Sequence, residues 1–207
     1  MKKYELTAEF IEKWGKKLFR IKALISFGSV EAGELGGYVE KEDNLAQNGN
    51  AWVFGNARVC GDARVCGNAE VCGNAEVFGN AWVFGNAWVF GNARVCGDAR
   101  VCGDARVCGN ARVCGNAEVC GDADYLLIGR IGSRFSFTTF FKNKDKGITV
   151  SCGCFLGTIA EFRAKVTDTH GNNKHAKMYN LAADMAELQI LGEEHFDKLN
   201  TNKSEPF

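Results

Sequence analysis

The sequence predicts a mainly β protein: a parallel β-helix, or solenoid, with an N-terminal cap and a small C-terminal α+β domain of ββαα order. Three observations carry this. A six-residue phrase, G-(N/D)-A-x-V-(C/F), runs in twelve clear copies from Gly49 to Cys120. Each copy holds one alternating triplet and one turn dipeptide, enough for a short strand and a corner. After Gly121 the phrase fades, two strand-like stretches follow without the repeat, and helical spacing takes over from Thr158.

The N-terminal segment, residues 1–28, reads as a cap. "LTAEFIEKW" suggests a short helix with Thr7 as N-cap. Gly15-Lys16-Lys17 suggests a turn, and "LFRIKALISF" alternates as a strand. A cap is needed because the outer coil of a solenoid exposes unpaired strand edges.

The array occupies residues 29–126, with imperfect copies from Ser29 and a degraded one, "GDADYL", from Gly121. In the copy Gly91-Asn92-Ala93-Arg94-Val95-Cys96, alanine and valine fall on one face of a strand and Arg94 on the other. The invariably small, apolar pair is the buried face, and the variable Trp, Arg or Glu slot faces solvent. Gly-Asn and Gly-Asp tolerate positive φ and turn the corner. Three copies close one triangular coil, and coils stack about 4.8 Å apart by parallel pairing. Every third repeat is then stacked. One outward ladder reads Trp52, Glu70, Trp88, Arg106; a second Arg58, Glu76, Arg94, Arg112; a third Arg64, Trp82, Arg100, Glu118.

The C-terminal domain, residues 127–207, begins with "RFSFTTFF" as a strand, "NKDKG" as a turn and "ITVSCGCF" as a second strand. Thr158 and Glu161 form a capping box that opens a helix ending at Gly171. A second helix runs from about Lys174 to Leu191, with Met178, Leu181, Met185 and Leu188 along one face. The tail after His195 reads as loose.

The phrase V-x-G-N-A-x resembles the hexapeptide repeat of left-handed β-helix proteins. The left hand is implied by that resemblance. The stretch "SFGSVEAGELGGYVEKEDNLAQNGNAWVFGNA" resembles uncharacterised bacterial and phage proteins that join such a module to a solenoid. The family implies side-by-side trimers and, in many members, acyl transfer that depends on a histidine base and on loops interrupting the coils. Here the array carries neither: the histidines are His170, His175 and His195. A general base must lie within hydrogen-bond reach of the proton it takes. A non-enzymatic binding or scaffold protein is therefore expected, with an acyltransferase and a passive polymer-forming scaffold as alternatives.

Lysine plus arginine equals aspartate plus glutamate at 25 each, so no global charge favours nucleic acid or an anionic membrane. No apolar run suits a signal peptide or a span, so a cytoplasmic protein is expected. Eight of the ten cysteines lie in the array at six-residue spacing, which is not a zinc pattern. No metal or cofactor is expected. Stacking pairs Cys96 with Cys114 and Cys102 with Cys120 within disulfide reach, yet a cytoplasmic setting implies reduced thiols, and phenylalanine takes the same slot elsewhere. The slot is read as an outward, compact apolar corner.

Two kinds of site follow. Trp52, Phe54, Trp88 and Phe90 share a face and are the expected homotrimer interface. A small anionic, nucleotide-like ligand is expected at Arg134, Thr138, Thr139 and His170 in the C-terminal domain, or at the arginine belt of Arg94, Arg100, Arg106 and Arg112. His170 closes a helix C-terminus, where positive charge is favoured. Cys152 or Cys154 with His170 would make a nucleophile–base pair only if the two came within reach.

Overall fold

A computed structural model describes residues 1–194 of the 207-residue chain. The expected loose tail from His195 lies outside the described residues. The chain divides into two compact units, Met1–Asp122 and Ala123–Phe207. The array therefore hands over to the second unit a few residues before the expected boundary at Leu127.

The first unit is a parallel β-solenoid. Three strands come first: β1 (Tyr4–Lys13), β2 (Lys16–Ala23) and β3 (Leu35–Val39). Twelve two-residue strands follow, β4 to β15, each the x-Val pair of one repeat, from Trp52–Val53 to Glu118–Val119. They form three ladders in the predicted stacking: β4-β7-β10-β13, β5-β8-β11-β14 and β6-β9-β12-β15. The register is rung on rung, as in Arg94 opposite Glu76 and Arg112. The alanines and valines of all twelve repeats fill the interior, essentially without exposure. At the corners the asparagines stack as well. Asn50 donates to Asn68, Asn68 to Asn86, and Asn86 to Asp104 at 3.0 Å. A carboxylate ends that row as a pure acceptor. Each corner glycine sits on the next: Gly91 has φ of 73°, and a Cβ there would stand 3.0 Å from the Gly109 nitrogen.

Backbone polarity explains the cap. Each coil donates its N–H groups to the carbonyls of the following coil, as in Arg58 N to Ala75 O at 2.9 Å. The first coil is thus left with carbonyls to satisfy. Buried Asn44 donates to Gly61 O and Ala63 O. Lys3 donates through Nζ to Ala51 O, and the Tyr4 hydroxyl donates to Glu42 O and Leu45 O. Burial lowers the Lys3 pKa to about 8. Burial, with Glu42 and Asp43 nearby, raises that of Tyr4.

The cap differs from expectation in kind. Thr7 to Trp14 do not form a helix: Tyr4–Lys13 is a strand paired antiparallel with β2 through a tight turn. Trp14 and Gly15 both have positive φ, the geometry of a two-residue hairpin turn. Pairing with β2, itself joined to β3 and so to β5, outweighs the local helix preference. Trp52 differs too. It is fully buried, edge-on to Tyr4 and Phe27, so the cap covers it.

The corner cysteines face inward more than expected: Cys60, Cys102 and Cys114 are buried. The structure also joins Cys96 to Cys114 and Cys102 to Cys120, with Cα atoms 4.6 and 4.3 Å apart. This replaces the expectation of reduced thiols at those four positions. Phenylalanine explains why the pairing stops there. Phe78, Phe84 and Phe90 separate Cys60, Cys66 and Cys72 from the cysteines two coils on.

The second unit is a four-stranded antiparallel sheet, β16 (Tyr125–Ile131), β17 (Ser136–Lys142), β18 (Ile148–Cys152) and β19 (Phe155–Thr158), in sequence order. Two helices complete it, α1 (Ile159–His170) and α2 (Lys174–Leu191). The expected ββαα hairpin is thus the centre of a larger sheet. The Thr158–Glu161 capping box is present, and both helices end at the predicted glycines. Asn173 caps α2 by accepting from the His175 and Ala176 N–H groups. The buried face of α2 is Ala176, Tyr179, Ala182, Ala183, Ala186 and Ile190, not the Met178/Leu181/Met185/Leu188 face, which is exposed. Small side chains let the helix lie close on the sheet. Arg163 ties the helices together, donating to Asp184 and to the buried carboxylate of Glu187 at 2.8 and 2.7 Å.

Candidate functional site

The second unit holds a cleft of about 380 Å³ between the ends of β16–β19 and the two helices. Its apolar lining is Phe155, Phe162, Val166 and Tyr179. The rings interlock: Phe162 lies 5.7 Å from Phe155 and 5.6 Å from Tyr179. The polar groups on its rim are Arg134, Lys165 and His170 with the hydroxyls of Ser133, Ser136 and Thr169. Among the described residues, no carboxylate lines it.

Local sequence explains the arrangement. Phe162, Val166, Thr169 and His170 recur at three- and four-residue intervals, so α1 presents them on one face. The turn from β16 to β17 carries Ser133 and Arg134 over the same space, and Phe135 in that turn takes positive φ. Gly132 is needed there, because a Cβ would overlap the Tyr179 hydroxyl. Gly153-Cys154 is a two-residue turn between Cys152 and Phe155, with Gly153 at φ of 60°. A Cβ on Gly153 would touch Arg134 Nη1, so the guanidinium lies against this turn.

Cys152 and Tyr179 form the floor. Thr138 Oγ1 donates to Cys152 Sγ at 3.2 Å. Burial pushes the Tyr179 hydroxyl up to about 12, helped by the adjoining Cys152 and opposed by Arg134. Tyr179 therefore stays protonated across the physiological range and acts as a donor. The His170 ring stacks on Tyr179 at 5.8 Å.

Of the expected ligand residues, Arg134 and His170 share this cleft, and Cys152 and Cys154 line it with them. Thr138 and Thr139 do not. Both are buried in the sheet, at 0 % and 2 % exposure, and neither reaches the cleft. They belong to the middle of a central strand, flanked by β16 and β18. Lys165 and Tyr179 were missed. Helical spacing from Phe162 placed Lys165 within reach, whereas Tyr179 comes from a separate helix.

The arginine belt is split among the ladders. Arg94 and Arg112 are consecutive rungs of one, Arg100 lies between Trp82 and Glu118 in another, and Arg106 follows Trp88 in the third. No single place collects all four. On the proposed trimer face, Trp52 is inside the fold, Phe54 and Phe90 are half-buried, and Trp88 is exposed with its indole N–H donated to Glu70. Trp82, on the neighbouring ladder, is exposed to the same degree. No helix among the described residues is long and apolar enough to cross a membrane.

The comparisons with known proteins bear on the array alone. The family described as YdcK beta solenoid repeat matches residues 93–109, 99–115 and 105–121. Over these later coils the chain is similar to that solenoid repeat, in keeping with the stacked coils. No curated protein matches the chain.

Proposed function

We propose that this β-solenoid protein is a non-enzymatic, self-associating binding protein whose C-terminal cleft holds a small anionic ligand with a flat, nucleotide-like body. One observation carries the reading: Arg134, Lys165 and His170 stand around an aromatic floor with no carboxylate among the described lining residues. An anionic group suits the guanidinium and ammonium, and a planar ring suits Phe155, Phe162 and Tyr179. Concave sites with apolar walls and a few placed polar groups are the usual form of small-ligand sites. Sequestration of a host signalling molecule by a phage-encoded protein fits a cleft of this chemistry. The solenoid serves as the rigid part through which copies associate, with exposed Trp88 and Trp82 as the apolar contacts of a homotrimer.

Titration calorimetry of the full chain with a nucleoside monophosphate tests the ligand class. Saturable binding is expected, at least about tenfold weaker in Arg134→Gln, because a charge-assisted hydrogen bond is lost. A neutral nucleoside that binds as tightly as its monophosphate contradicts the reading.

A further inference from the structure

Helix α2 is apolar on two opposite faces. One, with Tyr179, Ala183 and Ile190, joins Phe140, Val150 and Phe162 in the core of the second unit. The other carries Met178, Leu181, Met185 and Leu188, all exposed. Leu181 and Met185 at its centre are 64 and 57 % exposed, more than Met178 and Leu188 at 39 and 46 %. The spacing is three, four, three, the strict a/d seam of a coiled coil. One apolar stripe is enough to dock a helix on a core. The second stripe is left over once the fold is complete.

The charges at the ends of α2 run against the helix dipole. Lys174 and Lys177 lie near its start, and no acidic residue offsets them in the first turn. Glu193 and Glu194 follow Gly192 at the other end, where the last turn holds no basic residue. All four are exposed. Among the described residues, none of the four makes an ion pair. A positive N-terminus and a negative C-terminus both oppose the macrodipole, so these charges do not serve the isolated helix. They are also placed evenly. Ala183 is the midpoint of the seam, with Lys174 nine residues before it and Glu193 ten residues after it.

We propose that this face is a self-association surface, and that it takes the same helix of a second copy in antiparallel orientation. A two-fold contact needs a patch that complements itself. Turned end for end about Ala183, the seam sets Met178 of one copy against Leu188 of the other, and Leu181 against Met185. The lysine end of each copy then meets the glutamate end of the other, and the two dipoles oppose. Parallel pairing would set lysine on lysine and glutamate on glutamate. The flexible methionines let the two rows interdigitate. Four side chains are few beside the about 800 Å² per partner of a standard interface, so association in the micromolar range is expected. None of the seam residues lines the C-terminal cleft, and the surface is independent of Trp82 and Trp88.

The test uses full-length Trp82→Ala/Trp88→Ala, in which the solenoid contacts are removed, followed by sedimentation velocity from low to high micromolar concentration. A concentration-dependent rise from one chain to two is expected. Adding Leu181→Gln/Met185→Gln is expected to hold the protein at one chain, with the melting temperature at low concentration unchanged because both side chains are exposed. Adding Lys174→Glu/Lys177→Glu instead is expected to weaken association at least about tenfold, since like charges then meet at both ends. Those two changes suit the isolated helix, so a loss of association there is not a loss of fold. Combining them with Glu193→Lys/Glu194→Lys is expected to restore it. A chain that stays single at every concentration, or a dimer indifferent to Leu181→Gln/Met185→Gln or to the lysine reversal, overturns the proposal and leaves the solenoid contacts and the cleft untouched. A single chain whose Met178 and Met185 nonetheless resist peroxide oxidation overturns it too, and assigns the face to another segment of the same chain.

Discussion

Asn44 is the most economical place to test the capping account. Its side chain makes three hydrogen bonds. Nδ2 donates to Gly61 O at 3.0 Å and Ala63 O at 2.8 Å, and Oδ1 accepts from Lys41 N at 3.0 Å. The residue is fully buried. Asn44→Ala leaves carbonyls of the first coil without a donor, and an unsatisfied buried group costs about 1–3 kcal/mol. Two such carbonyls, partly relieved by water entering the smaller site, give an expected loss of roughly 2–4 kcal/mol. Asn44→Asp sharpens the test. It keeps the acceptor for Lys41 but turns a carboxylate toward two carbonyl oxygens, so it is expected to be worse than alanine. Urea unfolding gives the free energies, and amide exchange locates the damage, which should concentrate at Leu45–Ala46 and the first coil. An aspartate variant as stable as the alanine one, or a loss below about 0.5 kcal/mol in both, refutes the idea that donors to the outer carbonyls hold the cap.

Further outcomes follow from the same structure. Gly91→Ala places a Cβ at positive φ against the Gly109 backbone and is expected to cost about 1–3 kcal/mol, measured by thermal or urea unfolding. Lys3 has a folded pKa lowered to about 8 from 10.5, so its burial penalty is present below pH 8 and is relieved as pH rises toward 10.5. The stability of the wild type relative to Lys3→Met should therefore rise by roughly 1–3 kcal/mol between pH 8 and 10.5, and a flat difference contradicts the assignment. Reduction of Cys96–Cys114 and Cys102–Cys120 opens two loops of 18-residue separation, and each link is worth about 3 kcal/mol in the chain-entropy account. Amide exchange should then quicken in the last coils before it does in the first. Trp88→Ala and Trp82→Ala together should lower the subunit count seen by light scattering without lowering the melting temperature, since both rings are exposed.

The array was legible because its information is geometric. A period of six with one invariant small-apolar pair fixes both the coil and the order of every ladder, with no long-range inference. Three of the four helix ends were legible for the same local reason: Thr158 with Glu161, Gly171 and Gly192 are cap signals in their own right, whereas the Asn173 cap of the second helix emerged only in the structure. The misreadings all concern residues whose state is set by distant partners. Thr7 to Trp14 has helical spacing, yet the open edge of β2 recruits it as a strand. Trp52 sits in an outward slot, yet the cap folds over it. Thr138 and Thr139 look like donors, but strands on both sides bury them, and one of those, Tyr125–Ile131, had no turn signal to set it apart from the fading array. The apolar face of α2 drew attention to Met178 and Leu181, whereas close helix–sheet packing selects the alanine face. In the cleft, Arg134 and His170 were found from their chemistry. Tyr179 and the aromatic floor needed the fold.

Native mass spectrometry of the full chain, purified directly from cells, tests the central claim most directly. It reads the subunit count and any retained small molecule together. The account predicts a homo-oligomer carrying one anionic small molecule per chain, released in Arg134→Gln. A bare protein in both, or a retained molecule that Arg134→Gln does not release, contradicts it.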